Sequence, residues 1–274
     1  VPEVSVLLPL LGVLLAVGFL AGIVAGLLGV GGGIVLVPVF YWVFSSLGHQ
    51  PDQLMQICVA TSLGTIVFTS IRSVLSHHKR GAVDFTILRQ WAPGIVIGSA
   101  LGVVIAAGLK SHMLMLVFGV LGCIVGVYMA LGRAHWRLGQ QMPGLLGRSV
   151  ASPVMGFLSV LMGIGGGSFG VPLMTLYNQP IHRAVATAAG FGVLIAVPSF
   201  IGFLLTGWGI PDKPPFTVGY VNIPAFVIVV AMTLISAPIG VRLAHALPAK
   251  PLKRIFAVFI FLMAVNMLVK ALGA

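Results

Sequence analysis

Residues 26–38 read GLLGVGGGIVLVP, and residues 163–172 read GIGGGSFGVP. Both carry the form G-x-G-G-G-x4-P. The first runs through Gly29, Gly31, Gly32, Gly33 and Pro38; the second runs through Gly163, Gly165, Gly166, Gly167 and Pro172. Each glycine in a helix interior costs about 1 kcal/mol relative to Ala, so three in a row end a helix. Yet each run lies inside long apolar sequence. An apolar helix broken at its middle, twice, in matching form, is the feature from which the rest of the chain is read.

The chain of 274 residues is 59% hydrophobic and only 7% charged, with a formal net charge of +11. A soluble domain carries about 25% charge, so a water-facing surface could not be covered here. Soluble, disordered and peripheral classes are excluded. At about 20 residues per crossing, the length suits eight to ten crossings with no extramembrane domain. The basic residues sit in short loops, where they act as topology signals rather than as a nucleic-acid surface; no nucleic-acid partner is expected. Cys58 and Cys123 lie in apolar runs and read as small core residues.

Apolar segments fall at 4–29, 33–46, 54–76, 85–108 and 112–131, then at 148–163, 167–178, 184–207, 222–247 and 251–272. All read as helices, since a lipid-spanning segment must satisfy its own backbone and barrel-type alternation is absent. The polar stretch between the fifth and sixth separates two halves: 1–131, a cytoplasmic linker at 132–147, and 148–274. The halves echo one another in order. Besides the glycine motifs, Val59-Ala60-Thr61-Ser62 is echoed by Val185-Ala186-Thr187-Ala188, the segment around Gly102 by that around Gly240, and Val117-Phe118-Gly119-Val120 by Ile255-Phe256-Ala257-Val258. The expected fold is therefore an all-α polytopic membrane protein of two inverted-topology repeats, each a Gly-interrupted helical hairpin plus three spanning helices.

Charge supports the inversion. With the 77–84 loop in the cytoplasm, segments 131–148, 179–183 and 248–254 fall on the same side. That side then holds twelve Lys or Arg, against Lys110, Lys213 and Lys270 outside. This is a strong positive-inside bias, and it places both termini outside a bacterial inner membrane. Segments 33–46 and 167–178 would reach only about 21 and 18 Å at 1.5 Å per residue, short of a core of about 30 Å. Each glycine break therefore sits partway into the membrane, one from each side, which is where transporters of inverted-repeat type bind their cargo.

A glycine-rich turn entering a helix leaves backbone N–H groups without partners and lets a ligand approach them. The helix start adds partial positive charge, and the combination binds anions. The expected substrate-binding residues are Gly31, Gly32, Gly33, Gly165, Gly166 and Gly167, with hydroxyls from Thr61, Ser62, Ser168 and Thr187. Arg72 and Arg89 are candidates for gathering anions at the inner mouth, or for snorkelling to the interface. A bulky residue at Gly32 or Gly166 is expected to abolish transport while leaving the protein folded. Gly18, Gly22 and Gly26, and Gly94, Gly98 and Gly102, recur every four residues and read as helix-packing stripes.

On the two glycine runs and the VATS and VATA segments, the sequence resembles the sulfite exporter TauE/SafE family, over about residues 15–272. The resemblance implies a permease for small sulfur-containing anions such as sulfite, sulfoacetate or other organosulfonates, most simply an exporter. An anion channel, or an importer of another small oxyanion, is the alternative. Membrane lipid and the anion are the expected partners, a homodimer is compatible, and neither cofactor nor metal is expected.

Glu3, Asp52, Asp84 and Asp212 all lie at or near loops, so no carboxylate relay crosses the membrane. A charge moved through 100 mV is worth about 2.3 kcal/mol, so efflux of an anion driven by the potential alone is the expected mode. His77, His78 and His182 read as solvated loop residues able to titrate. Gly166-Gly167-Ser168-Phe169-Gly170 also matches G-x-S-x-G, the elbow of serine hydrolases, but that motif requires a preceding strand and a His–acid pair. An intramembrane hydrolase is the rival from another class, and the expectation is that the protein is not an enzyme.

Overall fold

The computed structural model describes residues 4–49, 52–131, 137–211, 213–246 and 249–273. The described chain is a bundle of helices: α1 (Val4–Leu28), α2 (Gly33–Ser46), α3 (Leu54–His78), α4 (Phe85–Gly108), α5 (Ser111–Leu131), α6 (Leu145–Leu161), α7 (Gly167–Leu176), α8 (Ile181–Thr206), α9 (Ile223–Ala246) and α10 (Ala249–Gly273). A two-residue hairpin, β1 (Thr217–Val218) with β2 (Val221–Asn222), precedes α9. Among the described residues six helices hold segments long and apolar enough to cross a membrane: Leu8–Leu28, Leu54–His78, Phe85–Gly108, Ser111–Leu131, Ile181–Thr206 and Ile223–Ala246. The protein is an all-α polytopic membrane protein. Every expected segment is present, although α7 is shorter than expected, and α6 begins inside the expected linker, of which residues 132–136 lie outside the described ones.

Each short helix doubles back. Gly33 sits against Ser62 and Ile66 in the middle of α3. Farther along α2, Tyr41 lies with Leu54, Leu109 and Lys110 around one shallow pocket, where α3 begins and α4 ends. Likewise Gly166 sits against Ala188 and Phe191 in the middle of α8. The carbonyl of Leu176, at the end of α7, accepts from Leu138 N–H in the segment before α6. So α1–α2 and α6–α7 are hairpins whose bends lie at mid-helix depth. Pro38 and Pro172 lie inside their helices, which run on to Ser46 and Leu176.

The packing maps onto itself when the first five helices are exchanged with the last five. α1 packs on α9 as α6 packs on α4; α2 packs on α3 as α7 on α8; α3 packs on α9 as α8 on α4. The helices that exchange with each other, α3 with α8 and α5 with α10, also pack together and run antiparallel. Gly64 meets Phe200 while Ser70 meets Gly192, and Gly119 meets Leu268 while Gly126 meets Phe261. The glycine stripes serve these contacts as expected. A Cβ on Gly26 would overlap the Ala237 carbonyl, and one on Gly98 the Pro153 carbonyl. Backbones approach this closely only where side chains are absent, which is how helices associate without a hydrophobic driving force.

Candidate anion site beside the second glycine break

The two breaks meet main chain to main chain. Gly165 N–H donates to the Val30 carbonyl at 3.1 Å. A Cβ on Gly33 would overlap the Gly163 carbonyl, and one on Gly167 the Gly29 carbonyl, so the contact is reciprocal. Gly31 and Gly32 hold φ of 75° and 80°, the left-handed region that costs other residues steric strain. Every residue from Gly29 to Pro38, and from Leu161 to Ser168, is buried. The breaks therefore converge, as the sequence implies, but the space directly between them is filled by their own backbones.

The cavity lies to one side of this crossing. Its volume is ≈ 60 Å³, where one water needs roughly 10–15 Å³ on the same measure, so it has room for a compact oxyanion. Gly167 and Ser168 line it from the first turn of α7, with Val30 from the first break. Ser168 is 2% exposed, and its Oγ has no hydrogen-bond partner. The start of α7 has no side-chain cap, so its opening N–H groups keep their unfilled donor capacity. Opposite them stand Tyr128 from α5 and three histidines, His77, His182 and His245, from α3, α8 and α9. Thr175 adds one hydroxyl, already bonded within α7, and the rest of the wall is apolar, including Leu27, Leu28, Val171, Val185 and Leu243. An apolar wall with a few convergent polar groups is the usual composition of a small-ligand site.

The other residues singled out in the sequence have different surroundings. Thr61 Oγ1 accepts from Asn222 N–H at 3.0 Å, and Asn222 Oδ1 caps α9 by accepting from Ala225 N–H at 3.2 Å. Thr187 Oγ1 accepts from Asp84 N–H at 3.0 Å, and Asp84 Oδ1 caps α4 by accepting from Thr86 and Ile87 N–H. The two threonines thus play one part in each half: each holds the cap of the other half's fourth helix. Asp84 also pairs with Arg183 at 2.6 Å. Ser62 Oγ donates to the Gly163 carbonyl at 2.8 Å, tying α3 to the second break. Gly31, Gly33 and Gly165 lie in the packed crossing, while Gly32 packs on the Ala21 carbonyl and Gly166 on Ala188 and Phe191. Arg89 is exposed on α4; Arg72 is exposed and shares a shallow groove with Arg242 and Pro238. None of these lines the cavity.

The sequence reading missed His245 and misplaced His77. His77 is a 1% exposed residue in the last turn of α3, not a solvated one, with its Nε2 3.1 Å from the Gly26 carbonyl. The available signal was three histidines at the ends of three spans, His77 and His245 in the last turns of α3 and α9 and His182 in the first turn of α8. Ser168 opens a helix after a loop, not the strand-to-helix turn that a nucleophile elbow needs.

The family model for the sulfite exporter TauE/SafE matches residues 14–267. A protein of Haemophilus influenzae named a probable membrane transporter is 31% identical over 256 residues, covering 93% of this chain and 97% of its own. A second, from Methanocaldococcus jannaschii, is 28% identical over 273 residues, covering 97% of each. A third, from Bacillus subtilis, is 28% identical over 215 residues, covering 71% of this chain and 78% of its own. No solved structure matches the chain. A glycine-broken helical bundle that matches this family over nearly its whole length belongs to it: the chain is a membrane transporter of the TauE/SafE family.

Proposed function

We propose that the protein is a permease for small sulfur-containing anions, such as sulfite, sulfoacetate or related organosulfonates, that carries them out across the inner membrane. The observation that carries this reading is the Ser168 hydroxyl, buried and unpartnered at the opening turn of α7 in a cavity of oxyanion size. Removing a hydroxyl from water without a partner costs about 1–3 kcal/mol, and a bound anion repays it. A sulfonate or sulfite group presents three oxygens. It can accept from the Ser168 hydroxyl and from the free N–H groups of α7 while the helix dipole favours its charge.

The two halves are read as inverted repeats, supported by the exchange symmetry of the packing and by the antiparallel crossing of equivalent helices. Under the positive-inside orientation, the cavity opens to the cytoplasm. The Arg183 and 77–84 region lies at that end, and both termini lie outside. Export needs no further energy source in this scheme, because each negative charge leaving a negative-inside cell gains about 2.3 kcal/mol per 100 mV.

The test is twofold. In detergent, sulfite, sulfoacetate and sulfate should raise the melting temperature more than chloride does, and Ser168→Ala should reduce that rise. In proteoliposomes, anion flux should follow an imposed voltage. Stabilisation by none of these anions overturns the reading. Flux that ignores voltage and tracks only a pH gradient overturns the driving force.

A further inference from the structure

The three histidines form a file that runs from water into the cavity. His182 is exposed at its rim; its ring stacks on that of His245, centroids 5.5 Å apart, and His245 in turn lies 5.6 Å from the buried ring of His77. A ring nitrogen 3.1 Å from a carbonyl must be the one that carries the proton, so His77 Nε2 donates to Gly26 and Nδ1 holds the lone pair. That Nδ1 is buried and has no partner, and neither has Nε2 of His245. Two protonatable nitrogens are thus kept dry beside a cavity without a carboxylate among its lining residues.

The surrounding charges are all of one sign or already paired. Arg80, from the loop after α3, acts on both His77 and His245. Arg183, next to His182, is held by Asp84, and Arg242 on α9 lines the separate groove with Arg72. α1 contributes only the Gly26 carbonyl; α5 contributes Tyr128, and α7 contributes Ser168 and Thr175. Among the described residues no three His, Cys, Asp or Glu side chains converge as metal ligands do. No acidic side chain stands among the cavity's lining residues, so a negative charge entering the cavity is the counter-ion that these rings lack.

We propose that the His77–His245–His182 file is a proton site that fills when the anion binds, so that the cargo enters with a counter-charge. The proton comes from water at His182, one imidazole becomes imidazolium, and one negative charge of the anion is neutralised inside the cavity. This rests on the anion reading of the site and adds to it a linked ion. By reciprocity, the anion binds more tightly as pH falls, and protons bind more tightly when the anion is present.

The other half supplies the control. Aligning the VATS and VATA segments places His77 opposite Phe203 and His182 opposite Gln56, and both of those are fully buried in the same fold. The experiment measures the dissociation constant of sulfoacetate and of sulfate between pH 6 and pH 8, by calorimetry in bis-Tris and Tris, which carry no competing sulfonate. Both probes stay ionised over that range. In the wild type, affinity should rise by up to about tenfold per pH unit of acidification, the limit for one linked proton. In His77→Phe with His182→Gln, the slope should fall below about twofold per unit. His182→Gln alone, at an exposed position, keeps the test available if the double variant misfolds, and should also flatten the slope. Binding that is independent of pH in the wild type, or equally steep in the variants, overturns the proton site and leaves the anion site standing. Binding of neither probe at any pH overturns both.

Discussion

The two glycine breaks share a backbone path and differ in what they face. After Gly33 the first presents Ile34; after Gly167 the second presents Ser168. Ile34 is fully buried in the core, and the residues answering to the histidines of the second side, Phe203 and Gln56, are buried as well. Gln56 is occupied by the Leu109 carbonyl and the Ser111 hydroxyl. Beside Ser168 there is a cavity with unpartnered polar atoms. The same fold element thus packs into the core on one side and lines a cavity on the other. The two bends have matching backbones, and a few side chains decide which of them borders a cavity.

Exchanging those side chains is the most direct way to break this contrast. Ile34→Ser should cost about 3–5 kcal/mol of stability, because it removes a buried branched side chain and leaves a void. Thermal unfolding in detergent reads this. Ser168→Ile should leave the melting temperature close to that of the wild type and abolish stabilisation by sulfite or sulfoacetate. Equal effects from the two would mean that the bends are functionally alike.

The shared part should respond symmetrically. Gly33→Ala and Gly167→Ala each force a methyl group onto a carbonyl of the opposite break, so each should cost about 3 kcal/mol, near the upper range for overpacking. A large difference between them would show that the crossing relaxes on one side. Next come the latches. Thr61→Val and Thr187→Val each leave an N–H without its acceptor, buried at Asn222 and part-buried at Asp84, and should destabilise by about 2 and about 1 kcal/mol. Thr→Ser at either position should restore most of it. The smallest effect belongs to Asp84→Asn, which gives the first half the cap that the second half has in Asn222. Asn caps as well as Asp, so only the pair with Arg183 is lost. That arginine is 53% exposed, and the cost should stay under about 1 kcal/mol.

Much of this architecture is legible in the sequence. Apolar run length gives every helix, and the glycine triplets give the bends, because both follow from local physics that no tertiary contact overrides. The packing role of Gly22, Gly26, Gly94 and Gly98 is legible for the same reason. The site is less so. The motif puts Gly31–Gly33 and Gly165–Gly167 on an equal footing, and only the three-dimensional packing shows that all but Gly167 are closed in by neighbouring backbone and side chains away from the cavity. For that reason Gly32→Leu and Gly166→Leu, which the sequence suggests would be folded but inactive, should instead lose folded protein. A side chain at Gly32 would lie 2.8 Å from the Ala21 carbonyl, and one at Gly166 would run into Phe191. His245 is invisible for a similar reason: its partners, His77 and His182, are distant in the chain and adjacent only after α3, α8 and α9 assemble.

The pairing of α1 with α9, and of α4 with α6, has a consequence for synthesis. The glycine stripe of α1 finds its mate only when residues near Gly240, more than 200 positions later, leave the ribosome. Until then the first hairpin must wait in lipid with its grooved face unmatched. The amino-terminal half therefore cannot mature by itself; its packing is completed only by the stretch of chain that follows it.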